Sequence, residues 1–254
     1  VNLALVTGAS SGIGAHLCRR LSQRGMKLIL TGRDRKRLED VAKELPDSEI
    51  VVADLSTEEG RATVVRIIKK CLPNLVINNA GYGLLGDVIS HGAEKQLDLV
   101  RVDVEAVLEI TVEAAAALKE SQKKGTIVNI SSAASFQPYP FFAAYAASKA
   151  FVTNFSQGVN EELKPYGIDV LVSCPGWIDT PFGVRASGGK PRKKPANRAM
   201  TIDFAVNEIL WQIEKKKPVH TFDWRYRLVV WLGKHIIPKR LAFYILKKVA
   251  FSRI

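Results

Sequence analysis

The sequence predicts an α/β domain built on a doubly wound parallel sheet, and three observations predict it. Short apolar runs of strand length alternate with amphipathic stretches of helix length from the first residue to about residue 180. A glycine-rich turn, TGASSGIG, lies between the first run and the helix that follows it. The chain has 254 residues and 47% hydrophobic content, enough for one large core. A single domain over residues 1–222 is therefore expected, followed by a basic, apolar C-terminal tail over 223–254.

The elements can be read off in order. Leu3 to Thr7 reads as the first strand, Ile13 to Arg24 as its helix with Gly25 as the C-cap, and Lys27 to Gly32 as the second strand. Glu49 to Ala53, Leu75 to Asn78, Thr126 to Ile130 and Asp169 to Ser173 follow as strands, each separated by a helix-length segment. Right-handed crossovers would gather a ligand at the carboxyl ends of these strands. After Pro181 the stretch PFGVRASGGKPRKKPANRAM is rich in Gly, Pro and positive charge, so it reads as a loop. Residues 183–199 would form a lid that excludes water from the site. A helix from Ile202 to Lys215 with Thr201 as its N-cap, and a short strand from Val219 to Phe222, close the domain.

Charge is unevenly spread. Of the net +12, the stretch from Arg185 to the end carries 17 Lys and Arg against 4 Asp and Glu, whereas the first 184 residues carry 20 against 21. This argues against a nucleic-acid-binding core and for a tail that meets an anionic surface or solvates itself. The three cysteines form no C-x-x-C pair and the four histidines are scattered, so neither a disulfide framework nor a metal site is expected. Val1 opens directly in a strand pattern with no signal-peptide layout, and a reducing, cytoplasmic setting is expected.

The glycine-rich turn carries the first chemistry. Gly8, Gly12 and Gly14, with Ser10, Ser11 and Ile13 between and beside them, let the backbone approach a pyrophosphate and aim a helix N-terminus at its charge. An NAD-preferring site usually presents a carboxylate at the end of the second strand. Here Gly32 is followed by Arg33, with Arg35, Lys36 and Arg37 close behind. A guanidinium there suits the 2′-phosphate of NADP. The other three cations also read as the solvated start of a helix. Asp54, beside Leu55, reads either as an acceptor for an adenine amino group or as an N-cap.

The second chemistry is an acid/base pair. In AAYAASKAF, Tyr145 and Lys149 lie four residues apart on one helix face. A phenol with an ordinary pKa of ~10 exchanges protons at neutral pH only where a nearby positive charge stabilises its phenolate. Ser132, directly after the fifth strand, would hold a substrate oxygen beside that phenol.

At this point the chain resembles the short-chain dehydrogenase/reductase family, which has a Rossmann-type fold. TGASSGIG is similar to its cofactor motif and NNAG, Asn78 to Gly81, to the motif after its fourth strand. IVNISS and YAASK are similar to its catalytic segments, and PGWIDTPF to the stretch bordering the nicotinamide. The resemblance implies NADPH as cofactor, with Tyr145 as general acid, Ser132 orienting the carbonyl, and Lys149 lowering the tyrosine pKa and holding the nicotinamide ribose. It also implies that Asn79, Ala80 and Gly81 support the adenine side. Pro175, Gly176, Ile178 and Thr180 would border the carboxamide. A homo-oligomer, dimer or tetramer, through helices around 95–119 and 144–163 is implied as well.

One position departs from that pattern. The family places an asparagine after the fourth strand to hold a relay water, and here the matching residue is Asp103, which either serves through its backbone carbonyl, perturbs Lys149, or sits on a helix surface. Phe136, Tyr139, Phe141, Phe142, Trp177 and Phe182 crowd the expected substrate pocket, which suits an apolar, lipid-like carbonyl or alcohol, or else they pack a core or interface. Cations of the lid, Arg185, Lys190, Arg192, Lys193, Lys194 and Arg198, suit an anionic substrate or simply solvate the loop. The tail has no uncharged stretch beyond six or seven residues, against the ~20 needed to span a bilayer. It reads as an interfacial helix pair on an anionic membrane surface, or as a segment folded over the domain. Two alternatives to a carbonyl reductase remain: a membrane-peripheral NADPH sensor without turnover, and isomerisation or dehydration by the same Tyr/Lys pair.

Overall fold

The structure, a computed structural model, describes residues 2–189 and 199–251. Seven strands form one all-parallel sheet in the order β3-β2-β1-β4-β5-β6-β7. They are β1 (Leu3–Thr7), β2 (Lys27–Gly32), β3 (Ser48–Val52), β4 (Leu75–Asn78), β5 (Gly125–Ile130), β6 (Ile168–Cys174) and β7 (Val219–Thr221). The expected strands are all present, with ends displaced by at most one residue. Parallel strands covered on both faces need apolar side chains on both, and β4, LVIN, is buried at every position.

Helices α1 (Gly12–Gln23), α2 (Arg35–Ala42) and α8 (Ile202–Lys215) lie on one face of the sheet. Helices α3 (Glu58–Cys71), α5 (Ala106–Glu120) and α6 (Ala143–Leu163) lie on the other. Local chemistry explains where they begin. Thr57 Oγ1 accepts the Gly60 N–H at 3.1 Å at the start of α3, and Thr201 Oγ1 accepts the Phe204 N–H at 3.1 Å at the start of α8, as its sequence predicts. Helix α4 (Val88–Val100) runs into α5 through one wide π turn, Arg101–Glu105, which carries Asp103. Strand order reverses between β1 and β4, and the site opens at that switch point.

One expectation needs correction. The stretch after Pro181 is not loop throughout. Pro181–Ala186 forms a short helix, α7, because Pro fits the first helical turn, and Gly188 and Gly189 at φ +70° and +84° end the run. Of the expected lid, Gly183 to Gly189 belong to α7 and this turn, while Lys190, Arg192, Lys193, Lys194 and Arg198 lie outside the described residues. The tail forms the expected pair of helices, α9 (Trp224–His235) and α10 (Lys239–Phe251), and it folds back over the domain, the alternative its sequence left open. Tyr226 Oη accepts the Trp177 N–H at 3.0 Å, and a Cβ on Gly176 would overlap the Tyr226 ring.

Candidate active site

A cleft of about 1070 Å³ opens along the carboxyl ends of the strands. It slightly exceeds the ~300–1,000 Å³ usual for one ligand. One half is built on the turn after β1. Gly8 has φ +65°, and a Cβ there would come within 2.9 Å of Ala80 Cα, while a Cβ on Gly14 would overlap the Gly8 carbonyl oxygen. Ser10, Ser11, Gly12 and Ile13 line the cleft, whereas Gly14 stands behind it. Ser11 is the N-cap of α1 with no side-chain capping bond, so the helix start presents backbone N–H groups and a hydroxyl to an anion.

The segment after β4 is fastened to this turn by contacts that need the folded sheet. Asn79 Nδ2 donates to the Thr7 carbonyl at 2.9 Å and to that of Gly8 at 3.3 Å. The Asn79 and Ala80 N–H groups both donate to Thr7 Oγ1 at 2.9 Å. Beneath them Asn78 Nδ2 donates to Asn129 Oδ1 at 2.9 Å, and Asn129 Nδ2 donates to Ser156 Oγ at 2.9 Å, so a buried polar chain joins β4, β5 and α6. The sequence reading missed Thr7, Asn129 and Ser156. Their partners lie 27 to 73 residues away, and no local pattern marks them.

Arg33 lines the cleft, and among the described residues it has no ion-pair partner. Its neighbours are otherwise engaged: Arg35 lies 3.8 Å from Glu39 and Arg37 lies 3.2 Å from Asp34, which caps α2. Arg185 of α7 lines the same cleft, and burial and then the charges of Arg37 and Arg33 hold its guanidinium below the ordinary arginine range. Asp54 and Leu55 line the cleft too. The N-cap alternative for Asp54 is corrected, since Thr57 fills that place. Asp54 Oδ1 instead accepts the Ser56 N–H at 3.0 Å and the Ser56 hydroxyl at 2.8 Å in a tight turn.

In the other half, β5 and α6 bring Ser132, Tyr145 and Lys149 together on the cleft. Ser132 Oγ accepts the Ala134 N–H at 3.1 Å, which fixes its position after β5. Lys149, buried, donates to the Ile130 carbonyl at 3.1 Å, and its Nζ stands 5.7 Å from the centre of the Tyr145 ring. Asp103 is 0% exposed, which removes the helix-surface alternative. Its Oδ2 lies 3.1 Å from Lys149 Nζ, and its Oδ1 accepts the Tyr82 N–H at 3.1 Å. Burial raises the Asp103 carboxyl above the usual carboxylate range, and the lysine opposes that rise.

The pairing changes the tyrosine. The phenol of Tyr145 is pushed above its ordinary value, first by burial and then by the Asp103 charge, while the Ser132 hydrogen bond acts the other way. Phe142 stacks on the Tyr145 ring at 4.3 Å and Phe182 lies at 5.6 Å, so an apolar enclosure surrounds the phenol.

Phe136, Tyr139, Phe142, Trp177 and Phe182 line the cleft as expected. Phe141 does not. It has φ +61° and faces a smaller hollow beside Gly86. Pro175, Gly176, Ile178 and Thr180 line the cleft after β6. Tyr226, Val229, Val230, Ile245 and Leu246 of the tail complete its wall, a contribution the sequence reading did not foresee. Cys18 and Cys174 are buried and their thiols are pushed up to about 12 by burial, which leaves neither as a nucleophile. Among the described residues no group of three His, Cys, Asp or Glu side chains could hold a metal, and no helix is long and apolar enough to cross a membrane.

A parallel sheet with a phosphate-receiving turn after β1 and a Ser, Tyr and Lys set after β5 defines a nucleotide-dependent dehydrogenase by class. Comparison makes this specific: the short chain dehydrogenase family profile matches residues 2–189, and the chain belongs to that family. An uncharacterized oxidoreductase of Staphylococcus saprophyticus is 32% identical over 214 residues, covering 81% of this chain and 91% of that protein. The structure is similar to a short-chain dehydrogenase from Sphingobium yanoikuyae in complex with NADPH, with TM-score 0.83 and 31% identity over 92% of this chain and 93% of that one. It is also similar to the bulky-bulky ketone specific alcohol dehydrogenase from Comamonas testosteroni, with TM-score 0.79 and 28% identity over 92% of each chain.

Proposed function

We propose that this protein is an NADPH-dependent reductase of a bulky, apolar carbonyl, with the reverse alcohol oxidation as its other direction. The observation that carries the reading is the packing of apolar rings against the Tyr145 ring beside Ser132 and Lys149 on one cleft. The NADPH complex of the Sphingobium yanoikuyae relative and Arg33, without an ion-pair partner among the described residues, support NADP, and a turn whose close backbone packing leaves no room for a Cβ on Gly8 or Gly14 fits a dinucleotide.

Gly8, Ser10, Ser11, Gly12 and Ile13 would hold the pyrophosphate, and Arg33 the 2′-phosphate. Asp54, Leu55, Asn79 and Ala80 would flank the adenosine, Gly81 would border the cofactor nearer the catalytic half, where a Cβ on it would lie 3.2 Å from Lys149 Nζ, and Pro175, Gly176, Ile178 and Thr180 would flank the nicotinamide. When bound, the cofactor supplies the hydride that adds to the carbonyl carbon. Tyr145 then gives its proton to the carbonyl oxygen while Ser132 Oγ holds that oxygen in place. Lys149 and Asp103 together set how readily the phenol parts with its proton. In this reading residues 1–222 form the catalytic unit.

Finer parts of the reading rest on particular surfaces. Exposed Leu108, Val112 and Phe151 on α5 and α6 support a homo-oligomer built on those helices. The apolar, cation-rich tail supports residence at an anionic membrane surface in the cytoplasm. A panel of ketones of rising size, followed at constant NADPH, tests the substrate class. The expected result is a kcat/KM that climbs with apolar bulk. A preference for small polar ketones would contradict the reading.

A further inference from the structure

We infer that the tail helices α9 and α10 are a lipid-facing entrance to the active-site cleft, through which an apolar substrate passes directly from an anionic lipid surface. This rests on the proposed apolar substrate and deepens it.

The inference begins with the two sides of these helices. Tyr226, Val230 and Leu246 line the cleft, so they form part of its inner wall. Trp224, Trp231, Leu241 and Tyr244 face outward at 64%, 52%, 50% and 67% exposure, large apolar side chains that a solvated helix pair does not require. Val229 and Ile245 belong to both surfaces. They line the cleft and are also 59% and 44% exposed, so its rim is continuous with the outer apolar face. A molecule held on that face meets the apolar side chains of Val229 and Ile245 at the rim.

Charge selects the occupant. From Trp224 to Ile254 the sequence has eight Lys and Arg and no Asp or Glu. A second copy of this chain seated on the face would set two such cationic segments against each other. An anionic lipid surface instead neutralises them, and exposed Trp and Tyr rings suit the boundary between headgroup and acyl chain. The tail is also latched to the cleft floor, since Tyr226 Oη accepts the Trp177 N–H. Events at the outer face are thereby joined to the segment that follows β6.

Vesicle flotation tests the docking, and kinetics test the passage. Vesicles of phosphatidylcholine alone and with added phosphatidylserine are mixed with wild type, with Trp231→Glu/Tyr244→Glu and with Lys247→Glu/Lys248→Glu. NADPH affinity serves as the check that each variant is folded. Wild type is expected to float with the anionic vesicles only and to be released by salt, and each variant to bind at least roughly tenfold more weakly while keeping its NADPH affinity. Anionic vesicles are then expected to lower the apparent KM of wild type for a long-chain ketone and to leave a short soluble ketone unaffected. Wild type that stays unbound, or variants that float as well as wild type, would overturn the docking. Variants that instead turn an oligomer into a monomer would assign the face to a second copy. Flotation with normal turnover of the short ketone and none of the long one would leave the docking intact, while overturning both the passage and the apolar-substrate reading.

Discussion

At the scale of single residues the chemistry turns on one buried charge pair. Asp103 and Lys149 lie 3.1 Å apart with almost no solvent access, and the carboxylate is second only to burial in raising Tyr145. Removing that charge lowers the tyrosine pKa. In alcohol oxidation Tyr145 must first lose its proton, so the rate rises with pH through that pKa. Asp103→Asn is therefore expected to move the rise to lower pH, and a limb at the wild-type position in a pH–kcat profile would contradict the coupling. Arg33 makes a second residue-scale prediction. Its replacement by Ala removes a charge-assisted contact worth about 1.5–3 kcal/mol. NADPH should bind roughly tenfold to a hundredfold more weakly while NADH is unchanged, as read by cofactor fluorescence titration. These two residues differ in how legible they were. Arg33 follows a strand end, so its position could be read locally. Asp103 could be aligned by spacing, but its burial depends on the π turn between α4 and α5, and no periodicity announces that turn.

At the scale of elements, legibility followed local chemistry. Helix α8 begins at Ile202 as expected because Thr201 caps it, and Thr201→Ala should cost about 1 kcal/mol, measured by urea unfolding. The strands were legible because their apolar runs are bounded by turn residues. Helix α7 was missed because six residues rich in Gly and Pro carry no helical periodicity, and only Pro at the first turn hinted at it. The tail helices were legible as an amphipathic pair, while their seat against Gly176 and Trp177 was not. That seat depends on one tyrosine meeting a backbone N–H 49 residues away.

At the scale of the whole molecule, one chain brings three surfaces to bear on one reaction: a cofactor cradle at the switch between β1 and β4, an apolar cleft over α6, and an apolar, cationic tail at its rim. The face of α5 and α6 bearing Val112 and Phe151 is expected to pair with a second copy. Light scattering should give a multiple of the chain mass for wild type and the single-chain mass for Val112→Glu/Phe151→Glu. A monomeric wild type would contradict it.

The central claim is that Tyr145 exchanges a proton with an apolar carbonyl reduced at the expense of NADPH. The most direct test follows NADPH and NADH absorbance with a bulky ketone, using wild type beside Tyr145→Phe. The account predicts faster consumption of NADPH than of NADH, and a loss of about a hundredfold to ten-thousandfold in the variant with NADPH affinity retained. Equal rates in wild type and variant, or tight NADPH binding with no turnover of any ketone, would contradict it.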